Sequence, residues 1–339
     1  MVNGGGCVRL ASNCQLTGAL MRDFPPLPQP DDDIGQPRKV GVEIELGGLD
    51  EGDVARICAE TLGGEARQTD SHIWQVENTS IGGLEVYLDI FLRNATKSKL
   101  RDLALDMGRE VVPVEIVTDP LDLEGLRKLD GLRVALREAG ALGSGAGIVF
   151  GFGVHLNVQI ASYRDADIVR PLLAYALIED WMRSANPIDE SRRLLPFTDP
   201  YPTDFVRDLI ALRPDATTSD VIAAYLKHNP SRNRGLDMLP IFAKIAPHQV
   251  EAAVSGKLSA RPTFHFRLPD CLIDDADWSL ADEWQRWLIV ERVAQDAGVL
   301  ARLGKAWEDD HGMITILRQS WARRCGEILH EAGFARPGA

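Results

Sequence analysis

The feature that most constrains this chain is the run Val40-Gly41-Val42-Glu43-Ile44-Glu45-Leu46, where apolar, largely β-branched residues alternate with small or charged ones. Such alternation predicts a strand with one buried face. It sets Glu43 and Glu45 together on the face opposite Val42 and Ile44. The pattern recurs at 73–76, 84–91, 111–117, 153–160 and 263–268. In 153–160 it gathers His155, Asn157 and Gln159 on one face and Val154, Leu156 and Val158 on the other. Helices are predicted over 53–62, ended by Gly63-Gly64, over 122–139 with Leu123, Leu126, Leu129, Leu132 and Leu136 at near-helical spacing, and over 164–183. From 280 to 333 the chain reads as two or three helices, with Trp284, Trp287, Trp307 and Trp321 as packing residues. The expected class is α+β, with six to eight mostly antiparallel strands.

At 45% hydrophobic and 26% charged residues, the 339-residue chain can bury a large core, which excludes disorder throughout. The net charge of −13 opposes binding to a phosphodiester backbone, so no nucleic-acid partner is expected. No apolar run of about 18 residues and no signal-peptide pattern occurs, which predicts a cytoplasmic protein without a membrane partner. The five scattered cysteines lack C-x-x-C spacing and read as thiols rather than a disulfide or zinc framework. Residues 1–36, with three consecutive glycines, several prolines and an Asp triplet, read as a flexible arm. A catalytic domain is expected over 37–274, with 186–235 as a lid or insertion, and a helical C-terminal region over 275–339 packed on it.

Candidate chemistry lies on the strand faces. Glu43 and Glu45 stand roughly 7 Å apart on one face, a spacing at which each can hold a different hard cation. Glu115 sits mid-strand, as do His155 and His265, and Arg267 shares the face of His265. Each has a plain structural alternative: a solvated strand face for the carboxylates, a hydrogen-bonded histidine, a surface arginine. Together, three carboxylates and two imidazoles over one sheet suit two or three Mg²⁺ or Mn²⁺ ions bridging nucleotide phosphates. Arg192, Arg193, Arg232, Asn233 and Arg234 sit in the expected lid, where they either close over an anion or lie in solvent. No G-x-x-x-x-G-K-[ST] loop and no G-x-S-x-G elbow is present, so a nucleotide site has to be built from metals and arginines.

Four segments carry a family resemblance: G-V-E-I-E-L at 41–46, V-E-I-V-T-D-P-L at 114–121, G-V-H-L-N-V at 153–158 and F-H-F-R-L-P-D at 264–270. In this order, across about 230 residues, they resemble the succession in carboxylate–amine ligases of the glutamine synthetase and glutamate–cysteine ligase fold, nearest to the amidoligase family. The resemblance implies a curved, mostly antiparallel sheet with the cluster on its concave face and helices on its convex face. It implies that Glu43 and Glu45 bind separate metal ions, that Glu115 joins one of them, and that His155 is a further ligand. It makes Arg267 the residue that stabilises a transferred phosphoryl group and Asn157 a nucleotide or substrate contact. Glu77, in W-Q-V-E-N-T-S, matches a segment that contacts substrate or metal in relatives, with Glu85 as its alternative. His265 departs from the family pattern by replacing a closing metal-binding Glu. An imidazole there lowers the negative charge of the site and favours Mn²⁺ or Zn²⁺ over Mg²⁺.

The implied activity is ATP-dependent amide or peptide bond formation through an acyl phosphate, with ATP and Mg²⁺ or Mn²⁺ as cofactors. Arg232 and Arg234 are candidates to close over the acyl phosphate or a substrate carboxylate, and Glu77 or Asp119 to take the amine proton. The expected partners are a small carboxylate and a small amine, an amino acid or peptide on at least one side, or a protein side chain, with a homo-oligomer compatible. The competing readings are a degenerate scaffold that binds nucleotide or metal, and a metal-dependent hydrolase.

Overall fold

The computed structural model describes residues 23–88, 112–145, 151–193, 198–212, 216–256, 258–311 and 318–334. The alternating segments form strands β1 (Val40–Leu46), β3 (Ile73–Thr79), β4 (Gly82–Leu88), β5 (Val114–Thr118), β6 (Val154–Gln159) and β8 (Thr263–Phe266). Two further strands complete the sheet, β2 (Glu65–Asp70) and the short β7 (Leu236–Asp237). Neither is evident from periodicity. The sequence of β2, E-A-R-Q-T-D, has no apolar alternation because the strand pairs only with β3 and is almost wholly exposed; β7 is two residues long.

The eight strands lie in the order β2-β3-β4-β5-β1-β6-β8-β7, and every pairing is antiparallel. The fold is therefore α+β. One face is apolar: Val42, Ile44 and Leu46 of β1, Val114 and Ile116 of β5, Val154, Leu156 and Val158 of β6, and Phe264 and Phe266 of β8 are each at most 2% exposed. Each such burial contributes about 1.5–3 kcal/mol, which fixes the register, because a one-residue slip would exchange this face for the polar one.

Helices cover the apolar face. Helix α1 (Glu51–Leu62) packs on β2, β3 and β4; the Asp50 side chain accepts from the Asp53 N–H at its start, and Gly63 at φ 73° ends it. Helix α2 (Leu123–Glu138) starts at the Asp122 cap and packs on α1. Helix α3 (Asp165–Ala185) sends Tyr175 to within 6.1 Å of the Phe266 ring.

The expected lid segment is folded among its described residues. It holds α4 (Glu190–Arg193), α5 (Thr203–Ala211) and α6 (Thr218–His228), the last begun by a Thr217/Asp220 capping box. Beyond β7 come the short α7 (Leu239–Ile245) and α8 (Pro247–Ala253). The chain ends in α9 (Leu280–Gln295), α10 (Ala297–His311) and α11 (Arg318–Glu331). Trp287 of α9 lies 5.1 Å from the ring of Phe264 and 5.7 Å from that of Phe266. On α11, the Trp321 Nε1 donates to the Leu177 carbonyl of α3. These helices share the apolar core with the sheet.

Residues 1–22 of the expected arm lie outside the described residues. Residues 23–36 pack against the body, with Phe24 and Leu27 buried and the Pro25 carbonyl accepting from Trp284 Nε1 at 2.8 Å. Proline composition masked this anchoring, because a few apolar residues in a proline-rich run are enough to dock it. Among the described residues, no helix is long and apolar enough to cross a membrane.

Candidate active site

The opposite face of the sheet forms the floor of a cleft of about 730 Å³. Register fixes what stands side by side on it. One row runs Glu85, Val117, Glu43, His155 across β4, β5, β1 and β6; the next sets Tyr87, Glu115 and Glu45 opposite one another. On the far side Asn157, His265 and Asp237 line up across β6, β8 and β7. The rest of the lining comes from Pro230 to Asn233, Val254 to Gly256, Leu258, Ser259, Arg261 and Arg192.

Glu43 is the hub. Its Oε2 lies 2.8 Å from His155 Nδ1 and 3.5 Å from His265 Nε2, while its Oε1 accepts from Asn157 Nδ2 at 2.9 Å and faces Arg261 Nη2 at 3.5 Å. Burial pushes the Glu43 carboxyl up, but the adjacent His265 and His155 outweigh it and hold the group well below the usual carboxylate range. Burial draws His155 below its ordinary value, against the pull of Glu43 and Glu45. Glu45 is fixed differently: its Oε2 accepts from the Gly153 N–H at 2.6 Å, and its Oε1 faces His155 Nε2 at 3.8 Å. Gly153 leaves room for the neighbouring side chains, since a Cβ there would meet Arg192 Nη2 at 2.7 Å and His155 Nε2 at 3.0 Å.

Asp237 stands beside His265 on the neighbouring strand with no exposed surface. Its Oδ2 is 3.4 Å from His265 Nδ1 and accepts from Arg232 Nε at 3.2 Å, while its Oδ1 accepts from the Leu239 N–H at 3.0 Å. Burial raises this carboxyl, and His265, Arg232 and Arg267 together bring it below its ordinary value. Arg267 donates from Nη1 to the Arg232 carbonyl at 2.7 Å; burial lowers its pKa, and Asp237 is the strongest influence in the other direction. Arg192 donates to the carbonyls of Arg267, Leu268 and Pro269 and to Asp270, so it holds the backbone that carries Arg267.

Most of the residues singled out in sequence meet here: Glu43, Glu45, Glu85, Glu115, His155, Arg192, Arg232, Asn233, His265 and Arg267 line the cleft, and Asn157 is tied to Glu43. Glu77, Asp119 and Arg234 stand elsewhere. Glu77 is exposed on β3 opposite Glu65 and does not line the cleft. Asp119 accepts from the Gly83 N–H at 2.7 Å and organises the start of β4. Arg234 donates to Asn229 Oδ1 at 2.6 Å and lies 3.8 Å from Asp199. Sequence reasoning missed Asp237 and Arg261. A signal for Asp237 existed: a lone carboxylate in the otherwise apolar run L-D-M-L-P at 236–240. Arg261 carries none, since it reaches Glu43 only through the pairing of β6 with β8.

The residues fit a divalent ion. Glu43, His155 and His265 each offer a ligand atom, and these atoms lie within 4.8 Å of one another. The buried His265 Nε2 makes no hydrogen bond and lies 3.5 Å from Glu43 Oε2, so it is free in geometry to serve as such a ligand.

A family model described as "Putative amidoligase enzyme" matches residues 36–289, and the chain belongs to that family. The matched stretch contains the whole sheet, the cleft and all but the last turns of α9. Membership supports a ligase. No curated protein matches the chain.

Proposed function

We propose that the chain is an ATP-dependent ligase of the glutamine synthetase fold that joins a small carboxylate to a small amine through an acyl phosphate. The observation that carries this reading is the polarity of the cleft, where a carboxylate and imidazole floor faces the guanidiniums of Arg192, Arg232, Arg261 and Arg267. A triphosphate needs both: divalent cations held by the floor and arginines for the oxygens the cations leave uncovered. Family membership supports the same reaction class.

In this scheme Glu43, Glu45, Glu115, His155 and His265 would hold Mg²⁺ or Mn²⁺, which would supply neutralising charge to the phosphates. The substrate carboxylate oxygen bonds to the γ-phosphorus as the β–γ bridging oxygen leaves with ADP. Arg267, fixed by Arg192 and Arg232, balances the charge spread over the transferring group. The amine nitrogen then bonds to the acyl carbon, and phosphate departs with the former carboxylate oxygen. The amine sheds a proton as it attacks; Glu85, in the cleft lining, takes the role first given to Glu77 or Asp119. Asn157 acts through Glu43, and Arg234 supports the loop that carries Arg232.

The test is ADP release from Mn²⁺–ATP or Mg²⁺–ATP over a matrix of amino acids and short peptides as acid and amine. ADP formed only when both an acid and an amine are present supports the ligase. Equal ADP release without an amine, or metal-dependent hydrolysis without ATP, overturns it.

A further inference from the structure

Behind the backbone that carries Arg232 and Arg267, Tyr201 has every polar group it owns committed. Its N–H donates to Glu179 Oε2 at 2.9 Å, its carbonyl accepts from Arg318 Nη2 at 2.7 Å, and its hydroxyl donates to the Leu236 carbonyl at 2.5 Å. We propose that Tyr201 is a positioning residue for the ligase, a strut that ties helices α3 and α11 to the arginine wall of the cleft. The inference rests on the ligase reading and brings into it α11, which lies outside the matched family stretch.

The near end of the strut is built on α3. Tyr175, Glu179 and Arg183 follow one another at i, i+4 and i+8, so they share one stripe of that helix. Glu179 is 2% exposed, and a carboxylate so deeply buried needs partners. It accepts from the Tyr175 hydroxyl at 3.1 Å, from Arg183 Nη2 at 2.8 Å and from the Tyr201 N–H. Arg183 also donates to the carbonyl of Thr198, which lines the cleft. Arg318, at the start of α11, donates from Nη1 to Asp180 of α3 at 2.8 Å. The Tyr201 ring is buried edge to face against Tyr175, Phe205 and Tyr225, with centroids 5.7, 5.0 and 6.0 Å away. Moving its backbone or its ring would break a charge-assisted hydrogen bond or a packed contact.

The far end is the wall. Leu236 follows Gly235, whose carbonyl accepts from the Arg267 N–H at 2.8 Å, and Arg267 Nη1 donates to the Arg232 carbonyl at 2.7 Å. Gly235 rests directly on the strut, because a Cβ there would collide with the Tyr175 hydroxyl and stand 3.4 Å from Glu179 Oε1. The hydroxyl of Tyr201 therefore fixes the backbone next to the carbonyl that holds Arg267. A guanidinium that balances charge in a transition state has to be held to within about 0.5 Å, and a misplacement of about 1 Å costs on the order of 100-fold in rate.

The experiment is Tyr201→Phe in the full-length chain, which deletes one hydroxyl and keeps the ring. It is read by ADP release from Mn²⁺–ATP with an acid and amine pair that the parent uses, and by amide hydrogen exchange. We expect kcat to fall by about 10–100-fold with the KM for acid and amine unchanged, and exchange to quicken at 232–237 and at Arg267 but not on α3 or α11. Arg318→Met is expected to lower kcat in the same sense, and Arg318→Lys, which restores one of the two donated bonds, to recover part of that loss. In an Arg267→Lys background Tyr201→Phe should add little, because both changes act on one group. Full additivity, an unchanged kcat, a loss confined to KM, or unchanged exchange around Arg267 would overturn the proposal. A parent that releases no ADP under any pairing defeats the ligase reading instead, and exchange around Arg267 then decides by itself whether Tyr201 holds the wall.

Discussion

The two halves of the cleft floor are built by the same rule and end in different states. On β4 and β5 the outward residues are Glu85, Tyr87, Val117 and Glu115; Glu115 is buried, while Glu85 accepts from Gln75 Nε2 at 2.5 Å and remains partly exposed. On β1, β6, β7 and β8 they are Glu43, His155, Asn157, Asp237 and His265, all buried, and the half-buried Glu45. The strand alternation is alike in both. What differs is the chain overhead: the segments around Arg232 and Arg261 cover the second half and bring cations to it. A carboxylate on an alternating strand is thus a neutral fact until its roof is known. Under a roof of arginines and beside imidazoles Glu43 stays ionised despite burial; among the described residues, Glu85 has no such roof.

This contrast can be broken by substitution. The largest effect is expected from Glu43→Gln, which removes the charge between both imidazoles: metal-dependent binding of ATP should fall by about 100-fold or more, read by calorimetry with Mn²⁺–ATP. Glu85→Gln is the matched change in the open half, and an equal loss there would erase the distinction between the halves.

Acid should act first on the covered half. The folded pKa of His155 lies below its ordinary 6.5, so the unfolded chain binds more protons as pH falls below that value and stability declines. Glu43 and Asp237 are held below their ordinary 4.5 and 3.8, so the stability they contribute is present above those values and is lost as pH falls through the folded ones. Urea midpoints measured from pH 7.5 down to pH 4 should fall throughout, and the upper part of the slope should flatten in His155→Gln. A midpoint that rises on acidification would contradict the protonation pattern drawn here.

A smaller effect is expected for Glu85→Gln on stability, within about 0.5 kcal/mol of the parent by denaturant unfolding, combined with a higher KM for the amine. Least affected in function should be Asp119→Ala. It removes the acceptor for the Gly83 N–H and costs about 1 kcal/mol, with metal and nucleotide binding unchanged; a tenfold loss of nucleotide affinity would return Asp119 to the chemistry.

Much of this was legible in the chain, for a definite reason. Six strands announce themselves by alternation because each has one face in the core, and their polar faces supply Glu43, Glu45, Glu115, His155 and His265 directly. The rest depends on information that periodicity does not carry. Strand β2 lies at an edge with no buried face to write a pattern, and β7 is too short to hold one. Asp237 enters the floor only because β7 pairs with β8 opposite His265. Glu77 and Asp119 show the converse: motif position put them near chemistry, while register sent Glu77 past the end of the cleft and the turn before β4 claimed Asp119.

The sheet order has a consequence in time. Strand β1 is first among the described strands to leave the ribosome and yet lies between β5 and β6, with β8 and β7 beyond. A growing chain that ends near residue 230 already owns Glu43, Glu45, Glu115 and His155, but neither Asp237 and His265 nor Arg261 and Arg267. Pairings of such sequence separation form late, so the acidic half of the floor exists before the groups that neutralise and cover it. A chain that stopped before residue 237 would therefore carry the carboxylates of β1 and β5 without the imidazole, aspartate and arginines that β7, β8 and their flanks bring beside them.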